Sequence, residues 1–193
     1  MMTFGRRYHG YFFCFLSCII SWEVNALNLD LDFIANIKIS TCDMTLLGGK
    51  STGGNNYTFT IGNNGKVGAM DIINHLDSAS TDFSIGIVNC APEISKINVS
   101  IGGAAVSGMT TALVNSLAGS DGGAKNIGLT IARQTAPDTP FTINSTADDG
   151  GLVWTQDEIH SGTVPLIARL ISTSDKISAG NFSAVATFNF TYE

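Results

Sequence analysis

The chain has 193 residues, a formal net charge of −6 and 13% charged residues. That length fits one ordinary domain with its own hydrophobic core, preceded by a short leader. The acidic balance argues against nucleic acid as a partner, because the negative phosphate backbone would repel the domain.

The first 26 residues have the three parts of a secretory signal peptide. Arg6 and Arg7 form a basic start, residues 11–20 are an apolar stretch, and small side chains precede Leu27. The stretch is too short to anchor the chain in a bilayer, and no later window has 18 uninterrupted apolar residues, so we expect a soluble mature protein. The alternative, cleavage before Cys18 as in a lipoprotein, lacks the usual order of leucine and small residues.

Two cysteines remain once the leader is removed. Taking 26 residues from 193 leaves 167, with 8 basic and 15 acidic side chains and a net charge near −7. Cys42 and Cys90 then lie in an exported chain without a competing thiol, so the sequence predicts one disulfide. Closing its loop of 48 residues is worth roughly 4 kcal/mol by the chain-entropy estimate. Two free buried cysteines are the alternative.

The mature chain opens with a period-2 pattern over residues 27–39, which is typical of a strand with one apolar face. On the polar side, only Ile34 breaks the alternation. The segment is either the first strand of a self-contained sandwich or an arm that pairs elsewhere, and the pattern alone leaves both open. The apolar face comprises Leu27, Leu29, Leu31, Phe33, Ala35, Ile37 and Ile39.

Short apolar runs separated by glycine, asparagine and aspartate turns fill the middle of the chain, as in an all-β domain. About seven such strands suggest an immunoglobulin-like sandwich without a second domain. A short helix within residues 104–118 remains an open alternative. The predicted strands span residues 57–61, 83–89, 97–101, 128–132, 141–143, 164–171 and 181–192.

The chain ends on a second long alternation. Only Glu193 follows it, so no hairpin partner can come from beyond the strand, which must end on an unpaired edge or borrow a neighbour. Its even positions are apolar or small: Gly180, Phe182, Ala184, Ala186, Phe188, Phe190 and Tyr192.

These ends resemble those of subunits of bacterial chaperone–usher fimbriae, as in type 1 and P pili. Gly180 is the fourteenth residue from the end and Tyr192 is penultimate, which matches the family's C-terminal signature. Residues 83–90 are similar to the strand before the second family cysteine, and residues 164–169 to the strand before the terminal one. Cys42 is sixteenth in the predicted mature chain, where the first family cysteine lies.

The resemblance implies an incomplete immunoglobulin-like β-sandwich that is completed by donor-strand exchange. A periplasmic chaperone would first fill the groove beside the even-numbered terminal residues, and the arm of another fimbrial subunit would replace it at an outer-membrane usher. Many family arms have glycine where this chain has Ala35. By position, the donor side chains would be Leu29, Leu31, Phe33, Ala35 and Ile37.

The expected organisation is a signal peptide at 1–26, a donor-strand extension at 27–39 and a pilin domain at 40–193. Having both an arm and a terminal groove strand, the chain resembles an internal structural subunit of a surface fimbria for cell adhesion, either shaft or adaptor. The alternative is a minor tip-proximal pilin that binds a host glycan or protein through residues 50–56 or 121–125.

No pattern in the sequence predicts catalysis, a metal or another cofactor. The predicted mature chain has two histidines, His75 and His160, and lacks metalloprotease, nucleophile-elbow and phosphate-loop motifs. Acidic residues at 148–149 and 157–158 flank Trp154 and could form a glycan or calcium site with the indole as a stacking platform. Acidic turns around a core tryptophan are the commoner arrangement.

Overall fold

The structure is a computed structural model that describes residues 27–28, 30–34, 42–91 and 94–193. The predicted signal peptide and three predicted donor residues, Leu29, Ala35 and Ile37, lie outside the described residues. Among the residues described, no helix is long and apolar enough to cross a membrane.

The described residues form short strands in chain order, with two small helices and one 3₁₀ turn at Asp77–Ala79. The elements are β1 Leu27–Asn28, β2 Asp30–Ile34, β3 Cys42–Leu47, β4 Lys50–Gly53, β5 Asn56–Thr60, β6 Lys66–Val67, α1 Ala69–Ile73, β7 Ser80–Cys90, β8 Ile97–Gly102, β9 Ala105–Val106, β10 Met109–Val114, β11 Ile127–Arg133, β12 Leu152–Val153, α2 Gln156–Ser161, β13 Thr163–Ser172 and β14 Thr187–Tyr192.

The strands build an all-β sandwich, which confirms the predicted fold class of an immunoglobulin-like domain. One layer is a six-stranded sheet in the order β3-β7-β13-β11-β10-β9. Opposite it lie the sheets β12-β8-β14 and β2-β5-β4, and β1 pairs with β6. The strand pairs in these sheets are antiparallel, so hairpins and short connections are sufficient to link them.

Three aromatic rings join the sheets across the core. Phe59 of β5 lies with its ring centroid 5.2 Å from that of Phe83 of β7, which is 6.1 Å from Phe188 of β14. Tilted and edge-to-face pairs at these distances are favourable beyond the burial of their area. The strand that ends the chain is therefore packed into the same core as the first half of the sandwich.

Five predicted strands are confirmed, with ends that shift by up to three residues: β5, β7, β8, β11 and β13. Residues 104–118 contain the β9–β10 hairpin and turns rather than a helix.

The predicted strand at residues 141–143 is wrong. Its amides donate to three separate parts of the chain: Phe141 to Ile131, Thr142 to Gly150 and Ile143 to Thr110. A ladder needs successive bonds to one partner strand, so this run forms a connection instead.

The prediction of an unbroken terminal strand at 181–192 is also wrong for the first half of that range. Only Thr187–Tyr192 forms a strand, paired with β8. Residues 181–186 face the loop after β10 rather than a strand, so a regular ladder does not extend over them.

Candidate functional site

Buried residues alternate with exposed or half-buried ones along residues 181–191. Only Thr187–Tyr192 of this segment forms a strand. Phe182, Ala184, Ala186 and Phe188 are at most 1% exposed and Phe190 is 9% exposed. The residues between them, from Asn181 to Thr191, are exposed or half-buried. The predicted groove-facing side chains from Phe182 to Phe190 thus point into the core of the domain, and Tyr192 is half-buried.

A buried asparagine fixes the irregular first half of this segment. Asn115 is 3% exposed. Its Nδ2 donates to the carbonyls of Ala124 (2.7 Å) and Asn181 (2.9 Å). Its Oδ1 accepts from the amides of Leu117 (3.0 Å) and Ser183 (2.9 Å). All four hydrogen-bonding positions of the amide are used, so the side chain replaces part of the missing ladder.

Gly180 has a steric reason to be glycine. Its φ is +152°, and a Cβ there would lie 2.6 Å from the carbonyl oxygen of Gly122 and closer still to the amide nitrogen of Ala124. The next residue, Asn181, exchanges backbone hydrogen bonds of 2.8 Å with both of these residues. The signature glycine therefore permits the close approach of two backbones at which the terminal segment begins.

The other end of β14 is also held. The carbonyl of Glu193 accepts from the amides of Ser95 (2.8 Å) and Lys96 (3.0 Å). The side-chain carboxylate of Glu193 accepts from the amide of Asn98 (3.1 Å). The Lys96 ammonium donates to Asp148 (2.9 Å), and this bond raises the pKa of Lys96. Both ends of the terminal strand are therefore fixed within the chain.

Tyr192 lies where the chain end meets the start of the domain. Its hydroxyl is 3.5 Å from the carbonyl oxygen of Cys42. Burial, and secondarily the carboxylate of Asp43, raise the pKa of the Tyr192 phenol. Cys42 is disulfide-bonded to Cys90, its register partner on β7. The disulfide therefore secures the point from which the leading segment departs.

Strand β2 of the leading segment contacts β14, which is the end strand of the β12-β8-β14 sheet. Strand β2 is hydrogen-bonded to β5 with Leu31 opposite Phe59 and Phe33 opposite Tyr57, and it also contacts β14. Strand β1 pairs with β6, with Leu27 opposite Val67. In this single chain, the segment predicted to be an arm pairs with its own domain.

The acidic residues around Trp154 do not form the glycan or calcium site that the sequence left open. Trp154 is 3% exposed, so its indole cannot serve as a stacking platform. Glu158 bonds to Arg133 and caps α2, while burial lowers the pKa of Arg133. In the part of the chain described, no group of three or more His, Cys, Asp or Glu side chains could hold a metal.

Sequence comparison supplies the family. The model of the family described as "Fimbrial protein" matches residues 51–193. The chain is 30% identical over 182 residues to the "Uncharacterized fimbrial-like protein YadM" of Escherichia coli (strain K12), covering 92% of this chain and 94% of that protein.

The chain belongs to the fimbrial protein family. Proteins of this family are structural subunits and not enzymes, so the chain is a structural subunit that assembles with other fimbrial subunits in a surface fimbrium.

Proposed function

We propose that the subunit polymerises by donor-strand complementation for cell adhesion. In this proposal residues 27–39 leave their own domain and occupy the space between β5 and β14 of a neighbouring subunit. The supporting observation is the position of β2, which pairs with β5 and contacts β14 within one chain. Exchange between chains would reuse the same backbone bonds, as in other cases of strand addition.

The proposed donor side chains are Leu29, Leu31, Phe33, Ala35 and Ile37. Directly opposed residues of an antiparallel pair share a sheet face, and Leu31 stands opposite Phe59, which is 2% exposed. Burying the four large side chains contributes roughly 6 to 12 kcal/mol at about 1.5 to 3 kcal/mol each, before the cost of ordering the arm.

An exported subunit whose arm is not in place would expose two strand edges and an apolar face, which promote aggregation. We therefore propose that a periplasmic chaperone first lends the subunit a strand. At an outer-membrane usher, the arm of the next subunit would then replace that strand. The route would run from the signal peptide at 1–26 through the periplasm to the cell surface, and the folded unit would be the pilin domain at 40–193.

Substitution in the arm tests this proposal. Ala35→Trp should abolish fibres while the subunit still forms a chaperone complex, because only the donor role requires a small side chain at this position. Asn36→Trp is the matched control: it adds a similar bulk on the predicted polar side and should leave fibres intact. Fibres are scored by electron microscopy and the chaperone complex by co-purification. Normal fibres with Ala35→Trp, or loss of its chaperone complex, would contradict the assignment.

The alternative is a tip-proximal subunit that binds a receptor through residues 50–56 or 121–125. The second loop also supports the terminal segment. Gly122 and Ala124 bond to the backbone of Asn181, and the carbonyl of Lys125 accepts from Ser178. Glycan-array binding by a monomer that carries its own donor strand would distinguish the two roles, since a shaft or adaptor subunit should bind no glycan.

A further inference from the structure

The carboxylate of Asp71 borders the end of the ladder that holds the first strand of the predicted mature chain. Strand β1 pairs with β6, and Leu27 stands opposite Val67. The residue after Val67 is Gly68, which is the N-cap of α1. A Cβ on Gly68 would lie 3.3 Å from Cγ and Oδ2 of Asp71 and 3.4 Å from its Oδ1. The carboxylate is therefore within contact distance of the position just beyond the last residue pair of this ladder.

Asp71 has a neutral hydrogen-bond partner but no counterion in the described part of the chain. It is half-buried, and its Oδ2 accepts from the hydroxyl of Ser78 (2.7 Å). No basic side chain of the described residues forms an ion pair with it. A carboxylate that is partly removed from water is stabilised by a nearby positive charge. A cation beside Gly68 is therefore favoured.

Removal of the signal peptide would create such a cation. Cleavage after Ala26, as the sequence predicts, gives Leu27 a free α-ammonium group. Because Leu27 stands opposite Val67, its nitrogen lies on the side that leads toward the position opposite Gly68. Neighbouring strands are about 4.7 to 4.9 Å apart, so the new charge is close to the Asp71 carboxylate. An uncleaved chain has a neutral amide at this position.

We propose that Asp71 binds the α-ammonium group of Leu27 and thereby recognises the processed end of the arm. Capture of a terminal amine is a known mode of peptide recognition. The ion pair also fixes the register, since a slip of one residue moves the ammonium group by about 3.3 Å along the strand. On the proposed function, on which this extension rests, the arm of a neighbouring subunit presents the same group to the same carboxylate.

Selective acetylation of the complete mature chain tests the proposal. An α-amine has an ordinary pKa of about 7.7 to 8.0 and a lysine of about 10.4, so acylation at about pH 6.5 favours Leu27. Peptide mass mapping verifies the first residue and the single acetyl group. Amide hydrogen exchange followed by NMR then measures how often the β1–β6 ladder opens. Acetylation should raise this opening constant about two- to fivefold, as for a partly exposed ion pair.

Variants separate the ion pair from the rest of the site. In Asp71→Asn the amide oxygen can still accept from Ser78, so the opening constant should already be raised and acetylation should add nothing. The matched control is Asp77→Asn, which removes an exposed acid from the following turn and should respond to acetylation as the wild type does. One alanine added before Leu27 displaces the ammonium group without altering the domain, and this chain should open like the acetylated one.

A wild-type chain that does not respond to acetylation would overturn the proposal. So would a response that persists in Asp71→Asn, or a mature chain that does not begin at Leu27. The measurement is made within one chain and needs no fibre. A subunit that shows the ion pair but fails to exchange arms would therefore contradict the proposed function alone.

Discussion

Removing the Asn115 side chain should destabilise the domain more than removal of any exposed polar group nearby. Asn115→Ala deletes four hydrogen bonds of 2.7 to 3.0 Å, of which one is buried and three are partly buried. At a net value of about 1 kcal/mol for each bond, the free energy of unfolding should fall by about 3 to 5 kcal/mol. The loss would release the segment that leads into β14, so fibre assembly should weaken as well.

Urea unfolding of the mature chain, followed by tryptophan fluorescence, measures this change. Ser116→Ala is the matched control, because its exposed hydroxyl also bonds to Ser183 (3.0 Å) and its removal should cost less than about 1 kcal/mol. If Asn115→Ala also cost less than about 1 kcal/mol, the anchoring role would be refuted.

Asn115→Asp gives an independent pH signature. One carboxylate oxygen would keep the two accepted bonds, while the other would face the carbonyls of Ala124 and Asn181. The charged form is disfavoured there, so the folded-state pKa of the introduced carboxyl group would exceed its ordinary value of about 3.9. The variant should therefore gain stability relative to wild type as the pH falls from neutral through that raised pKa. A pH-independent difference would contradict this reasoning.

Three further changes probe the core, the disulfide and the chain end. Phe188→Ala should lower the unfolding free energy by about 3 to 5 kcal/mol, measured by urea titration, and a loss below about 1 kcal/mol would exclude a core role. Replacing Cys42 and Cys90 by serine should cost about 2 to 5 kcal/mol, with no further loss on adding reductant; a continued response to reductant would contradict a single disulfide. The folded-state pKa of Tyr192 is raised. The stabilising contribution of its neutral phenol is therefore fully present below the unfolded-state pKa of about 10 and is lost as the pH rises through the higher folded-state pKa. Tyr192→Phe should flatten the fall in unfolding free energy above about pH 10, and an unchanged alkaline profile would count against it.

The strands were predictable where side-chain alternation matches a partner strand. The pattern of β8, with Ile97, Val99 and Ile101 buried and polar residues between them, can be read directly from the sequence. The terminal alternation also predicted which side chains are buried from Phe182 to Phe190. It could not distinguish a ladder from an extended segment, because burial periodicity does not depend on the backbone partner.

Other features needed the three-dimensional structure. Asn115 lies between an apolar strand and a turn-rich loop, where an asparagine is ordinarily a turn residue. Nothing local reveals that its amide contacts Asn181 and Ser183, far along the chain. By contrast, α2 could have been found from the spacing of a capping box at its start, and the structure contains both hydrogen bonds of that box.

On the proposed function, the place beside β5 and β14 must be filled by a strand, which can come from another molecule. The direct measurement uses the mature chain lacking residues 27–37 and a synthetic peptide of residues 27–39, with peptide binding followed by fluorescence anisotropy and stability by urea unfolding. The shortened chain should be less stable than the full one, bind the peptide and regain cooperative unfolding when the peptide is bound. A shortened chain that remains as stable as the full one and ignores the peptide would contradict it.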